Sequence, residues 1–388
     1  MVKSQDQMAK SILRVAVVGA GSIGREFALR HFGAHTGTAV SAIVDRDIAA
    51  AERLAADAGA VAAGAKVIGG GYREAVSDRR GAPVPHGTAL SDAILSTCDA
   101  VYVGTTPGSH RDLVLRALSQ DKHVLLEKPL AATAEDADAI AAAVTAAEAR
   151  GVHASMNIGM RYNQALIEMR RLVETGDVGE LTSGKLGLHF AQWPREWQEV
   201  AWCAGRSEGG PLREVGTHFL FAINELFGHR CVTRVRADVR YPPADPKLAE
   251  LAVHGTLELS SGLEIALSVT TDGSVSGAHG DLYELSVTGD GGTLVLDAFT
   301  ALRRLGWRKR TVVRQGPYGR AECVHAFVEA VEHARTAGAG ESDRRTAPVG
   351  SAQQCRWQPV SVLEGRNAQR VLDALLASGG EWVDVRYD

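Results

Sequence analysis

The chain has 388 residues, of which 45% are hydrophobic and 23% charged, a balance that excludes a disordered or fibrous polymer and points to more than one core. Forty-two Lys and Arg against 46 Asp and Glu leave a net charge of −4, so no global basic field exists for wrapping a nucleic acid. No stretch approaches the ~18 apolar residues of a membrane span, and five scattered cysteines without C-x-x-C spacing fit a reducing, cytoplasmic setting.

The first half reads as alternating strands and helices. Ile12–Val18 is a β-branched strand that ends at glycines, and Ser22–Phe32 turns helical. Ala39–Val44 is a second strand and Ile48–Ala58 a second helix. The stretch 64–88, rich in glycine with Pro83 and Pro85, breaks the rhythm and reads as an inserted loop around one short element. Asp99–Gly104 (strand), His110–Ser119 (helix) and His123–Leu126 (strand) resume it. Thr133–Arg150 is an Ala-rich helix whose Thr133-x-x-Asp136 start resembles a capping box. Strands separated by helices imply an α/β, doubly wound parallel sheet over residues 1–150.

From residue 151 to 388 the pattern changes to apolar/polar alternation. Leu181–Phe190, Ala252–Leu259, Leu263–Val269, Leu282–Val287 and Thr293–Leu296 read as strands, with turns at Ser261-Gly262 and Asp290-Gly291-Gly292. Helices are expected near Asn163–Thr175, Leu212–Leu226, Glu322–Arg335 and Val362–Ser378. The expectation is a second, α+β domain built on a largely antiparallel sheet.

Three segments carry chemistry. Gly19-Ala20-Gly21-Ser22-Ile23-Gly24 is a G-x-G-x-x-G motif between a strand and a helix, the setting in which glycines and a helix N-terminus cradle a dinucleotide pyrophosphate. Asp45, at the end of the second strand, can accept the ribose hydroxyls of NAD and repel a 2′-phosphate, while the adjacent Arg46 leaves NADP use open. Glu127-Lys128-Pro129 closes the strand from His123, and carboxyl ends of such strands face the ligand crevice. Lys128 is then either a proton carrier, its pKa tuned by the cleft, or an exposed loop lysine paired with an acid. In the segment Gly209–His218, Glu214 and His218 stand four apart on one helical face, where carboxylate and imidazole can orient a substrate hydroxyl and share its proton. A surface pair or two metal ligands are the competing readings; no third ligand stands at recognisable spacing, so no metal is expected.

Together, the fingerprint, the E-K-P and the G-G-x-x-x-[D/E]-x-G-x-H helix resemble the glucose–fructose oxidoreductase, inositol dehydrogenase and rhizopine-catabolism (GFO/IDH/MocA) family, from about Ile12 to Val383. Thr105 and the Thr106-Pro107-Gly108-Ser109-His110 turn resemble the family's nicotinamide-side turn, and Met160-Arg161-Tyr162-Asn163 lies near where the family binds substrate. The resemblance implies a Rossmann domain followed by an α/β domain whose open sheet commonly forms a dimer or tetramer face. It also implies NAD(P)-dependent oxidation or reduction at a ring carbon of a sugar, cyclitol or derivative. Lys128 would carry the proton, His218 would contact the reacting hydroxyl, and the acid at 214 would bind a substrate hydroxyl. Glu214 stands where aspartate is usual, which shifts the carboxylate by about a bond length. Other members of such a family cleave glycosidic bonds with NAD used transiently, or serve as non-catalytic sensors. Trp193, Trp197 and Trp202 precede the helix and either stack on a sugar ring or pack internally. Convergence of two among Arg161, Arg195, Arg206 and Arg213 would indicate an anionic substrate, with Arg161, Asn163, Trp193 and Arg195 as candidate contacts.

Overall fold

The computed structural model describes residues 12–62, 84–198, 200–275, 280–305, 310–336 and 358–388. The first half lays down β1 (Leu13–Val18), α1 (Ser22–Glu26, continued by a π-helical Phe27–Phe32), β2 (Thr38–Val44), α2 (Ile48–Ala62), β3 (His86–Gly87), α3 (Asp92–Ser96), β4 (Ala100–Val103), α4 (His110–Ser119), β5 (His123–Glu127), α5 (Ala134–Glu148) and β6 (Ala154–Asn157). The parallel pairs β2–β1, β1–β4, β4–β5 and β5–β6 make one twisted layer. Residues 64–83 of the expected insertion lie outside the described residues; past them, β3 adds an edge strand beside β2. Thr133 caps α5 by accepting the Asp136 N–H at 3.1 Å.

The second half continues with α6 (Gln164–Glu174), β7 (Leu181–His189), a π-helical turn Leu212–Gly216, α7 (Thr217–Phe227), β8 (Val232–Arg240), β9 (Ala252–Leu259), β10 (Glu264–Thr270), β11 (Leu282–Gly289), β12 (Gly292–Asp297), β13 (Ala301–Leu305), β14 (Arg310–Gln315), α8 (Arg320–Thr336), β15 (Val360–Ser361), α9 (Val362–Ala377) and β16 (Val383–Asp384). The nine-stranded sheet runs β14-β13-β12-β11-β7-β10-β9-β8-β16, antiparallel except where β10 pairs β7. β15 instead joins the first sheet, giving it the order β15-β6-β5-β4-β1-β2-β3. Both hairpin turns form as expected, between β9 and β10 and between β11 and β12.

The first sheet's core is not contiguous in the chain. Val324, Phe327, Val328 and Val331 of α8 pack with Phe27, Phe32, Tyr102 and Leu125, so a helix from the far half covers one face of the parallel layer. The other face belongs to a cluster that runs through α5, α7 and α9 into the second sheet, tying the two layers together. The crevice between them is where the carboxyl ends of β1, β2, β4 and β5 meet the start of α7.

Candidate functional site

At the end of β1 the backbone turns sharply: Gly19 has φ +102°, and its N–H donates to Val44 O at 2.8 Å. A Cβ on Gly24 would lie 1.7 Å from Gly19 O, so this close passage of helix over strand admits no side chain. At Gly21 the opposite holds, since a Cβ would meet nothing within 4 Å. Gly21 and Ser22 are exposed and Ile23 half-buried, leaving the α1 N-terminus open to a ligand. Asp45 reaches back to this turn, its Oδ2 accepting the Ala20 N–H at 2.6 Å and its Oδ1 the Asp47 N–H at 2.8 Å. Arg46 beside it is exposed. An open cradle of backbone amides with a carboxylate at its rim fits the pyrophosphate and ribose of a dinucleotide. Asp45→Ala is expected to weaken NAD affinity about 10-fold, the scale of one hydrogen bond to a charged group, without a matching loss for NADP. Fluorescence titration with both nucleotides measures this; equal NAD affinity in the two proteins would remove Asp45 from the site.

The loop after β4 is built around His110. Its buried ring joins Leu130 O (3.2 Å, Nδ1) and Thr105 O (3.1 Å, Nε2), and burial holds its pKa below the ordinary value. Ser109 Oγ donates to Thr105 Oγ1 at 2.7 Å, and Thr106 and Pro107 start the short helical turn that carries it. His110 thus ties the loop to the segment after Lys128 and faces no open space. Glu127 is buried at the end of β5, where its Oε1 accepts Tyr102 Oη–H at 2.7 Å and an Asn157 Nδ2–H. Its Oε2 accepts the Lys128 N–H at 3.2 Å, which fixes the backbone from which Lys128 projects.

Lys128 points across the crevice to the helix carrying Glu214 and His218. Nζ donates to Glu214 O at 2.7 Å and lies 3.6 Å from Glu214 Oε2. The sequence reads one helix over Leu212–Leu226, but its first turn is π-helical, which loosens the carbonyl ladder where the lysine binds. Arg195 NH2 lies 3.1 Å from Glu214 Oε2, and Gln198 Nε2 donates to Oε1 at 3.4 Å. Burial pushes the Glu214 carboxyl up, but the charges of Lys128 and Arg195 outweigh it and hold it below the usual carboxylate range. His218 is buried, and burial reinforced by Lys128, Arg320 and Arg195 keeps its pKa well below 6.5, so the imidazole is neutral. The Arg195 guanidinium sits 4.6 Å from the Trp197 ring centroid and 5.4 Å from that of Trp193, while Trp193 Nε1 donates to Cys203 O at 2.9 Å.

Two expected substrate contacts lie elsewhere. Arg161 is buried, and its NH2 donates to Glu225 Oε1 (2.6 Å) and Glu364 Oε1 (2.8 Å), both shared with His229. Asn163 is spent as the N-cap of α6, accepting the Leu166 N–H at 2.9 Å, and its Nδ2 donates to Phe299 O. Arg206 stacks over Tyr241 at 3.7 Å, and Arg213 lies 4.0 Å from Asp373. Of the four arginines only Arg195 reaches the Lys128 cluster, so the two-guanidinium signature of an anionic substrate is not assembled.

Candidate ligand atoms of Glu225, His229 and Glu364 lie within 4.8 Å of one another, a grouping invisible in sequence because Glu364 is remote. A guanidinium already bridges these carboxylates, which makes the cluster an ion-pair network. Burial lowers the His229 pKa, but hydrogen bonds and charges of Glu225 and Glu364 lift it to about 9. That stabilisation is fully present below the ordinary imidazole value near 6.5 and is lost as pH rises through about 9. Wild type should therefore exceed His229→Gln in melting temperature at neutral pH, with the gap closing as pH approaches 10. A gap constant with pH would contradict the network.

The sequence reading missed Gln198, Tyr283, Asn157 and Tyr318. Tyr283 Oη accepts from Arg195 NH1 at 3.3 Å. Asn157 had a signal, because it ends β6 and carboxyl ends of strands face the crevice. Tyr318, whose Oη lies 2.6 Å from His218 Nδ1, sits in a turn with no distinguishing pattern.

A family model described as "Oxidoreductase family, NAD-binding Rossmann fold" matches residues 13–156, and one described as "Oxidoreductase family, C-terminal alpha/beta domain" matches residues 170–385. Inositol 2-dehydrogenase 3 of Saccharopolyspora erythraea is 26% identical over 339 residues, 84% of this chain and 87% of that protein. A 1,5-anhydro-D-fructose reductase of Ensifer adhaerens is 37% identical over 122 residues, 31% of this chain, and the match spans only 35% of the reductase's length. Among solved structures, an oxidoreductase from Agrobacterium radiobacter in complex with NAD+, L-tartaric acid and magnesium superposes with a TM-score of 0.68. It is 17% identical and covers 97% of this chain and 99% of its own.

Proposed function

This chain belongs to the GFO/IDH/MocA oxidoreductase family, and from that premise we propose that it interconverts a secondary alcohol and a ketone on the ring of a sugar or cyclitol, using NAD. The observation that carries this reading is the placement of Lys128 Nζ between the end of β5 and the Glu214 carbonyl, opposite His218. When bound, NAD supplies the hydride acceptor for oxidation and, reduced, the donor for reduction. Gly19–Gly24 and Asp45 hold it. Lys128 enters oxidation as the neutral amine, takes the hydroxyl proton to become the ammonium beside Glu214, and returns that proton during reduction. His218 bonds the reacting oxygen. Glu214, polarised by Lys128 and Arg195, accepts a neighbouring hydroxyl and so sets which ring carbon is presented.

Among the described residues no helix is long and apolar enough to cross a membrane. Four free cysteines, Cys98, Cys203, Cys231 and Cys323, are buried, which supports a cytoplasmic setting. The broad nine-stranded sheet and exposed Val312 and Val313 on its edge strand support association through that layer into a homodimer or homotetramer. Reduced nicotinamide carrying deuterium at C4, incubated with keto-sugars and inosose-type ketones, tests the reaction class. Deuterium on a ring carbon of the product supports it; label retained in the nucleotide across the panel counts against it.

A further inference from the structure

Resting on the proposed reaction, one contact assigns a role to a residue outside the Lys128 cluster. The His218 imidazole is clamped edge-on between Phe299 and Tyr318, with ring centroids 5.4 and 5.3 Å away and interplanar angles of 86° and 84°. Its Nδ1 lies 2.6 Å from Tyr318 Oη. Among the described residues no group bonds Nε2, which leaves that nitrogen available to a substrate.

The clamp is held from behind by close packing between two turns. A Cβ on Gly159 would lie 2.6 Å from the Tyr318 ring, and a Cβ on Gly319 (φ +105°) would lie 2.5 Å from Gly159 O. Neither glycine leaves room for a side chain, so Tyr318 is fixed between the Gly159–Tyr162 turn and α8. Burial keeps Tyr318 protonated, so its Oη carries an O–H. Among the described residues the one hydrogen-bond contact of that oxygen is His218 Nδ1, which accepts the O–H when the ring proton sits on Nε2. A neutral imidazole that accepts at Nδ1 carries its single proton on Nε2.

We propose that Tyr318 is a positioning residue that locks His218 as the Nε2–H tautomer, so that His218 donates a hydrogen bond to the reacting oxygen and does not take its proton. The division of labour follows. Lys128 alone moves the proton, while His218 stabilises the oxygen on which negative charge develops. In oxidation the neutral amine form of Lys128 takes the proton as the alcohol O–H bond breaks, becoming the ammonium beside Glu214; the C–H electron pair leaves as hydride to NAD, and the His218 proton stays on Nε2 throughout.

The test reads the tautomer directly. Full-length protein labelled with 15N-histidine and saturated with NAD gives long-range 1H–15N correlations in which pyrrole-type and pyridine-type ring nitrogens separate. The His218 signals are identified by their loss in His218→Gln. Wild type is expected to show Nε2 protonated and Nδ1 bare. Tyr318→Phe is expected to show mixed tautomers and a kcat about 10-fold or more lower, with NAD affinity retained. A wild-type His218 protonated at Nδ1, or doubly protonated, overturns the proposal, whether or not Tyr318→Phe folds. So does a Tyr318→Phe protein with unchanged tautomer and kcat. If His218 is Nε2–H but no ring substrate turns over, the proposed reaction fails and the tautomer assignment stands.

Discussion

Lys128→Met is expected to lower turnover by at least ~10²-fold while leaving NAD affinity close to wild type, because proton transfer by a positioned side chain contributes about 10²–10⁴-fold. Methionine keeps the length of the apolar stem and removes only the ammonium, so the change isolates the group that bonds Glu214 O at 2.7 Å and neighbours its carboxylate at 3.6 Å. The Glu214 carbonyl loses its donor and the carboxylate loses one of two cationic neighbours. A modest loss of stability, on the order of 1–3 kcal/mol, accompanies the kinetic effect. Arg195 still holds the carboxylate at 3.1 Å, so the helix start keeps its anchor to the tryptophan loop. Steady-state rates and a thermal melt on the same preparation separate the two effects. Turnover unchanged in a folded variant contradicts the assigned role.

The second large effect is expected at the dinucleotide turn. Gly24→Ala places a Cβ 1.7 Å from Gly19 O and 2.8 Å from Gly19 C, and both obstacles are backbone. Gly19 cannot retreat, since a side-chain carbon at its own Cβ position would lie 2.4 Å from Gly104 O and its N–H is bonded to Val44 O. The helix must lift from the strand, at a cost near the upper end of overpacking penalties, about 3 kcal/mol. Its amides then leave the position they hold toward a pyrophosphate. NAD affinity is expected to fall ~100-fold or more, with a lower melting temperature, in a fluorescence titration and a melt. Wild-type affinity in this variant would place the nucleotide elsewhere.

The parts of this molecule legible in sequence are those whose chemistry is local. Gly19–Gly24 reads as a phosphate turn because strand, glycines and helix are consecutive, and Lys128 reads as crevice-facing because it ends a strand. Glu214 and His218 read as partners from their spacing, although the π-helical first turn, which lets Lys128 bond a main-chain carbonyl, left no mark in the pattern. Strand β8 escaped because Arg234, Arg236, Asp238 and Arg240 alternate with Val235, Ala237 and Val239, a polar outer face that masks the apolar inner one. β13 and the edge strand β14 are similarly arginine-rich.

Residues whose role depends on remote partners were misplaced or missed. Arg161 looks like a substrate contact until Glu225 and Glu364, 64 and 203 positions away, take its guanidinium. Asn163 was readable as a helix cap from its place before α6, and the cap explains it better than a ligand does. Tyr318 is 100 residues from the histidine it bonds, and only the packing of Gly159 against Gly319 brings them together.

The most direct test of the central claim follows nicotinamide absorbance in purified protein with NAD and a panel of free sugars, cyclitols and sugar acids. A rise in NADH with one ring class, abolished in Lys128→Met, is the predicted result. A flat trace across the panel from protein that binds NAD, with sugar released from glycosides under the same conditions, would contradict net oxidoreduction and make the chain a glycosidase.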